Sequence, residues 1–535
     1  MPGSLIEKPQ AQQFTVEQAL QLAIQHHQAG KLQEAEQLYL AILSVYPNHI
    51  LANHYMSIVA CQAGNLDISI AYRNKITEIA GDYLSSDYAR YLYEVGKFLG
   101  KSGNLEISEK FLRKSIDVFK DVNFYVGLGA CLILMEKTGE AESVLRDALT
   151  LDQNNISAQI NMCTLLKKQG KILEAEGLVE KIISTNDVDN KTLCDALTIL
   201  GQVRMEQERL EEAEHYYKKA ITIKPDNQET LWELSCVLLL SGRYREGLPY
   251  HDSRFFLNKN NPLRFDSYRM WNGEDIAGKR ILVWAEQGHG DQIQAFRYLK
   301  KLRERGGEVL VDTNPELVSL FRNSPWPSQV IPKGESVPDY DIHIPFMSLP
   351  RILFEEAEFF SQPIPYLQAG KKKLEHWQKL LSTIPGHRVG IVWAGNPLHK
   401  NDRNRSIPLE HLAPLAEIPG VSVVSVQKGS GESQVGDCPF PLIHLGSQIQ
   451  DFEDTAAILE HLDLLISVDT SVAHLAGALG RPVWTLLPTA PDWRWMLERE
   501  DSPWYPSMRL FRQPARGDWD SVIHRVADEL KTKIS

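Results

Sequence analysis

Three stretches in the second half of this chain place chemically useful residue types where a fold could aim them at a ligand. The first is Glu286-Gln287-Gly288-His289-Gly290-Asp291-Gln292-Ile293-Gln294, directly after the apolar run Lys279–Ala285. Glycines after a strand, Gly290 among them, let the backbone approach a ligand closely. A carboxylate at Asp291, standing at a helix start, could take a proton from an acceptor hydroxyl as general base. The plain structural alternative is a helix cap, a favoured use of Asp. The second stretch is Val468-Asp469-Thr470-Ser471-Val472-Ala473-His474-Leu475-Ala476-Gly477-Ala478-Leu479-Gly480. A buried strand ending at Val468 would hand over to a helix whose free N–H groups, at Thr470 and Ser471, favour a diphosphate. Thr470 and His474 are four residues apart, so they share a helix face able to meet phosphate and sugar. The residues alone leave two readings open, a phosphate-and-sugar site or a capping Asp469 with a satisfied buried His474.

The third stretch is the basic loop His399-Lys400-Asn401-Asp402-Arg403-Asn404-Arg405-Ser406, following the strand-like Arg388–Trp393. Such a run is ordinarily a solvated loop, but its place at a strand end lets one cation, Arg405, meet phosphates. Gln427-Lys428, after Val421–Val426, follows the same logic, and Asp492-Trp493-Arg494-Trp495, after Pro482–Leu487, either walls a base pocket or packs as aromatics. A metal-dependent transfer would want an Asp-x-Asp pair. Asp339-Tyr340-Asp341, Asp187-Val188-Asp189 and Asp518-Trp519-Asp520 all fit, which shows how unspecific the triplet is, and no metal is assigned.

The elements that must position these residues alternate between strand and helix. Strands are expected at Lys279–Ala285, Glu308–Asp312, Gln329–Ile331 and Asp341–Ile344, with helices from about Asp291 and Pro315. After a linker around Gln362–Gly370 and a helix near Lys371–Leu381, further strands are expected at Arg388–Trp393, Val421–Val426, Leu462–Val468 and Pro482–Leu487, and a closing helix at Asp520–Lys531. This alternation implies parallel, doubly wound sheets. Two such lobes in tandem leave a cleft between their strand C-termini.

The first half follows another grammar. Gly30 and Gly64 lie 34 residues apart in similar turns, and the turn returns at Gly103, Gly170 and Gly242. Five residues past these turns sit Ala35, Ser69, Ser108, Ala175 and Gly247, and two further units carry Ala141 and Ala213 with Glu136 and Glu208 in the glycine's place. Small residues at these places, at Gly129 and Gly201, and at Ala148 and Ala220 let two helices approach. About seven units from Val16 to Arg254 resemble the tetratricopeptide family, an all-α solenoid whose concave face holds a peptide or protein. A spacer or dimerisation surface is the alternative.

The chain has 535 residues, net charge −12 and 43% hydrophobic residues, which suits two or three globular domains. The negative balance speaks against nucleic acid as partner. The start lacks a secretory layout, no apolar run reaches the roughly 18–20 residues of a membrane span, and the six cysteines, Cys61, Cys131, Cys163, Cys194, Cys236 and Cys438, have no metal or redox spacing. A cytoplasmic location is expected.

From about Lys279 onward the chain resembles the family 9 glycosyltransferases, the heptosyltransferase-like group with the two-lobed GT-B fold. The resemblance rests on Gly290-Asp291 and, more specifically, on Asp469-Thr470-Ser471-Val472-Ala473-His474-Leu475. It implies inverting transfer from a nucleotide sugar with no metal or other cofactor. Asp291 would be the base, Asp469, Thr470, Ser471 and His474 the donor site, and Arg405 the early second-lobe cation. The expected domains are a solenoid over 14–257, a first lobe over 278–365 and a donor-binding second lobe over 371–535. The short first lobe and the fused repeats depart from a plain heptosyltransferase. The layout looks like that of protein O-GlcNAc transferases, without clear sign of their catalytic motifs. A protein or glycan acceptor held by the repeats is therefore expected, with an inactive interaction scaffold and a sugar-nucleotide epimerase as rivals.

Overall fold

The computed structural model describes residues 15–28, 31–63, 65–80, 85–185, 188–257, 263–265, 269–354, 364–399 and 401–534. The turn glycines Gly30 and Gly64, Lys400 of the basic loop, Asp187, the chain start, parts of the stretch between the expected solenoid and first lobe, and the start of the expected Gln362–Gly370 linker lie outside them. The chain divides into two compact units, Met1–Val203 and Arg204–Ser535. Among the described residues no helix is long and apolar enough to cross a membrane.

Among the described residues, fourteen helices follow one another as seven helix–turn–helix units: α1 Val16–Gln28, α2 Leu32–Val45, α3 Ile50–Gln62, α4 Leu66–Ala80, α5 Ser85–Lys101, α6 Leu105–Val118, α7 Val122–Leu134, α8 Thr138–Leu151, α9 Ile156–Lys168, α10 Ile172–Ile183, α11 Asn190–Glu206, α12 Leu210–Ile223, α13 Gln228–Leu240 and α14 Tyr244–Gly247. The short α14 runs on into a 3-10 turn, Leu248–Ser253, and a last helical turn, Arg254–Leu257. The 34-residue period has a steric origin. Ala35, Ala141, Ala175 and Ala213 are fully buried, and a Cβ on Gly129 would stand 2.6 Å from Leu145, so larger side chains would force paired helices apart. The turns need a left-handed residue. Gly103, Gly170 and Gly242 supply it, and Glu136 and Glu208 adopt φ 60° at the same place, a conformation that a residue with a Cβ enters only at a cost.

A ladder of carboxylates links successive units. Glu109 pairs with Lys137, Glu142 with Lys171 and Glu214 with Arg243, each acid one residue past the small helix-contact residue and each cation at the next unit's turn.

The second half carries two parallel sheets. The first has strand order β3-β2-β1-β4, with β1 Arg280–Trp284, β2 Glu308–Thr313, β3 Gln329–Pro332 and β4 Ile342–Pro345. The second has order β10-β9-β8-β5-β6-β7, with β5 His387–Val392, β6 Val421–Ser425, β7 Ile443–His444, β8 Leu464–Val468, β9 Val483–Leu487 and β10 Met508–Arg512. The two-residue β7 and the edge strand β10 were not expected. In β10 two arginines break the apolar run; the strand pairs in the sheet with β9 and meets Asp501 on its other side through a single antiparallel bridge. Central strands β8 and β9 are buried throughout, as strands covered by helices on both faces must be.

Candidate functional site

A cleft of about 880 Å³ lies between the two sheets' lobes. Its walls come from segments that follow strands: Gly288–Asp291 after β1, the Ala394–Asn396 turn after β5, Gln427–Ser430 after β6, Asp469–Ser471 after β8 and Pro491–Arg494 after β9. Parallel strands deliver loops to one end, so these residues gather although they are far apart in sequence.

Asp291 is the third residue of the helix His289–Ala295, which starts two residues earlier than expected because Gly288 is its N-cap. Asp291 Oδ2 accepts from Gly288 N at 2.8 Å, and its Oδ1 accepts from Arg494 Nη2 at 2.5 Å. The cap and the cleft position are therefore both real. A carboxylate oxygen has two lone pairs, so each oxygen keeps acceptor capacity beyond these bonds, and Asp291 lines the cleft. Arg494 is buried. Its Nε donates to Gln294 Oε1 at 2.5 Å and its Nη1 to Asp492 Oδ1 at 2.8 Å. Burial works against its charge, but Asp492 and Asp291 more than offset that and hold the guanidinium above its ordinary range.

From the second lobe, β8 ends into Asp469, and Thr470 is the N-cap of the helix Ser471–Ala478. No side chain caps this helix, and the Thr470 hydroxyl pairs instead with Ser467 Oγ at 3.0 Å. Its opening N–H groups thus face the cleft with the helix dipole behind them. Burial, then the nearby Asp492, pushes the Asp469 carboxyl up to about 6, with Arg405 opposing. Arg405 Nη1 donates to the Asp469 carbonyl at 2.9 Å and its Nε to Asp402 Oδ1 at 3.1 Å, which turns it inward. Burial and Arg405 lower the neighbouring His399.

His474 Nδ1 lies 2.9 Å from the Tyr505 hydroxyl, and its ring packs 5.1 Å from that of Trp495. Burial, and then Arg494, holds it well below the usual histidine range, hence neutral. It is a buried, partnered histidine that also walls the cleft. Across it sits Gly290, where a Cβ would come 2.8 Å from His474 Cδ2. Gly290 thus serves the seam between lobes as well as the cleft. Ala473, Ala476 and Ala478 are fully buried, and a Cβ on Gly477 would stand 2.4 Å from the Tyr505 ring, so the thinness of this helix lets it seat against its neighbours.

Gln427 reaches the cleft wall, but its side chain is taken up by the backbone. Its Oε1 accepts from Trp393 N and Ala394 N at 3.1 and 3.0 Å, and its Nε2 donates to Ala394 O at 3.0 Å. It shapes the β5 loop. Lys428 lines the cleft and donates to Gly446 O at 3.2 Å. Of the Asp-x-Asp triplets, Asp341 binds Arg280 N at the opposite end of β1, and Asp518 caps the last helix through Ser521. Among the described residues no group of three or more His, Cys, Asp or Glu side chains is arranged to hold a metal ion.

Sequence reasoning names Arg494 only within the Asp492–Trp495 stretch, as part of a candidate pocket wall, and gives it no role of its own. Trp493 and Trp495 are buried aromatics, as that reading allowed. The cation between them, on a loop after a central strand, was the signal.

Comparisons with known proteins come to the same two parts. The family model described as glycosyltransferase family 9 (heptosyltransferase) matches residues 449–515, and that of the tetratricopeptide repeat matches 195–227. Protein FlbA of Caulobacter vibrioides is 28% identical over 324 residues, 55% of this chain and 54% of that protein. The chain therefore spans about half the length of that relative. Among solved structures, a tetratricopeptide repeat protein from Parabacteroides merdae aligns at 17% identity over 43% of this chain and 87% of its own, with a TM-score of 0.33. A family 9 glycosyl transferase from Veillonella parvula aligns at 13% identity over 48% of this chain and 91% of its own, with a TM-score of 0.36. The chain thus joins a tetratricopeptide repeat match to a segment similar to the glycosyltransferase family 9 model, as its motifs led us to expect. That segment takes in Asp469–His474 and Arg494 and does not reach Asp291.

Proposed function

We propose that this chain transfers a sugar from a nucleotide-activated donor to an acceptor hydroxyl, with inversion and without a catalytic metal. The family match supports a glycosyltransferase in general terms. The observation that carries the finer reading is the meeting of Asp291, on the first lobe, with the uncapped helix start at Thr470-Ser471, on the second, across one cleft.

In this reading the donor diphosphate lies against the Thr470 and Ser471 N–H groups, with Arg405 and Lys428 beside it. Asp291 takes the acceptor hydroxyl's proton, and the freed oxygen attacks the anomeric carbon from the face opposite the leaving diphosphate. The bond from sugar to diphosphate breaks as the new glycosidic bond forms. Helix dipole and cations stabilise the departing charge where it develops. Asp469 borders the sugar, and neutral His474 fixes the wall without adding charge. The acceptor is a protein or glycan recruited by the repeats, and the compartment is the cytoplasm.

A thermal-shift screen of UDP-, GDP-, ADP- and dTDP-sugars tests the donor site, since a ligand bound only by the folded state raises apparent stability. One nucleotide class should raise the melting temperature, and no response to any would remove the donor-site reading. Removing Met1–Val203, one compact unit, tests the repeats. Acceptor preference should be lost while donor hydrolysis persists, and unchanged preference would return the repeats to a scaffold role.

A further inference from the structure

We propose that the last helical hairpin, Gln228–Leu257, positions the transfer site, with Tyr244 and His251 as positioning residues that hold Arg494 against Asp291. This inference rests on the reading of Asp291 as the base. The hairpin belongs to the same compact unit as both lobes, and Leu239, Tyr244 and Leu248 share one apolar core with Ile293, Trp493, Trp495 and Trp504.

The contacts converge on Arg494 from two sides. The Tyr244 ring meets Trp504 edge-on at 5.5 Å and Trp493 at 6.1 Å, and the His251 ring meets Trp493 at 6.0 Å. Trp493 lies under the Arg494 guanidinium, 4.4 Å from its ring centre. Trp504 Nε1 donates to the Arg494 carbonyl at 2.9 Å. Trp493 and Trp504, the two second-lobe tryptophans met by Tyr244 and His251, therefore grip Arg494, one at its side chain and the other at its backbone. Met496, two residues on, holds φ 55°, a strained conformation for a side chain with a Cβ, which persists only when its surroundings impose it. The hairpin's turn at Gly242 lies against the Met496 side chain.

The hairpin's tail grips the other partner. Arg254 Nη2 donates to Glu286 Oε1 at 2.8 Å and to Ser348 Oγ at 2.9 Å, and Glu286 Oε1 also accepts from Met347 N at 3.1 Å. Arg351 pairs with Asp252 at 2.9 Å. Glu286 begins the loop that leads into the helix carrying Asp291, and Met347 Sδ lies 3.7 Å from Arg494 Nη2. His251 completes this end. Burial, with Arg254 adding to it, keeps the ring neutral, so its Nδ1 accepts from Arg254 Nη1 at 3.1 Å. One hairpin thus holds both sides of the Asp291–Arg494 pair and touches no atom of the proposed reaction.

The test uses the full chain with Tyr244→Leu, which removes the ring, and Tyr244→Phe, which keeps it. Crystal structures give the Arg494–Asp291 distance, calorimetry the donor Kd, and steady-state kinetics kcat per folded molecule. In Tyr244→Leu the pair should open beyond hydrogen-bond reach, with donor Kd within about twofold of wild type and kcat down at least about tenfold, as expected when a reacting group is displaced by a fraction of an ångström. Tyr244→Phe should restore both. Should Tyr244→Leu not fold, His251→Asn, which keeps an acceptor for Arg254 but no ring against Trp493, carries the same expectations. An intact pair with unchanged kcat overturns the inference. If wild type binds and turns over no nucleotide sugar, the proposed function fails on that count, and the crystal structures alone decide the positioning claim, an unmoved Arg494 overturning it.

Discussion

Replacing Gly290 by Ala adds one methyl group at the seam between the lobes. The new Cβ would lie 2.8 Å from His474 Cδ2, 3.4 Å from Ser471 Cα and 3.5 Å from His474 Cγ. Carbon atoms rest at about 3.5–4.0 Å, so something must give by about 1 Å. His474 cannot swing aside, because Tyr505 holds its Nδ1 and Trp495 lies against its ring, and Ser471 offers only backbone. The helix bearing Asp291 must move away from the helix that opens at Ser471. Overpacking of this kind costs about 1–3 kcal/mol, and Ala regains about 1 kcal/mol over Gly inside a helix, so the net destabilisation is about 0–2 kcal/mol. A 1 Å displacement of base from donor costs on the order of 100-fold in rate. Turnover should therefore suffer far more than stability. Thermal melts and single-turnover release of nucleotide from the donor measure the two effects. Gly177→Ala, in α10 with open space around its Cβ, is the control and should gain stability by up to about 1 kcal/mol. A Gly290→Ala variant that gains stability as the control does, at the wild-type rate, would refute the packed seam.

Other perturbations follow from the same geometry. Arg494→Met leaves Asp291, Asp492 and Gln294 without their shared donor, and breaking a buried ion pair costs about 3–5 kcal/mol; melts should fall accordingly and transfer should be lost. Arg494→Lys keeps the charge but not the fork that serves three partners, so it should melt nearer wild type and turn over slowly, and a fully active Lys variant would contradict the assignment. Asp469 keeps its proton to about pH 6 in the folded chain, whereas unfolded Asp loses it near pH 4. The folded state therefore binds more protons between these values, and stability falls as pH rises through that window. Asp469→Asn should remove the fall, so its advantage over wild type grows between about pH 4 and 6 and then levels off; parallel melting curves would count against the shift. In the solenoid, the hydrogen bond from Gln169, with Arg146 and Lys171 helping, holds Glu142 below the usual carboxylate range. Glu142→Gln should cost less than about 1 kcal/mol, and the difference should vanish as pH falls through that lowered pKa.

The repeats were legible because their signal is periodic and local: a small residue where helices touch and a left-handed residue where they turn. The strands β5, β6, β8 and β9 were legible as apolar runs, whereas β10 was not, since an edge strand tolerates charge between its apolar residues. The two cleft-lining motifs, Asp291 and Asp469–His474, follow strand ends and were found for that reason. What escaped was long-range. Gln427 looked like a donor contact until its amide was seen to be filled by the β5 loop. Arg494 lies 203 residues from its partner Asp291. The last hairpin follows the same period as the others, and what sets it apart is its partners, Trp493 and Trp504 in the second lobe and Trp284 and Glu286 in the first.

The most direct measurement compares Asp291→Asn with wild type for donor affinity by calorimetry and for transfer to acceptor. Donor affinity should stay within about twofold, because the proposed donor contacts lie on the second lobe. Transfer should fall by at least the 10²–10⁴-fold typical of a lost general base. Retained transfer would contradict the account at its centre.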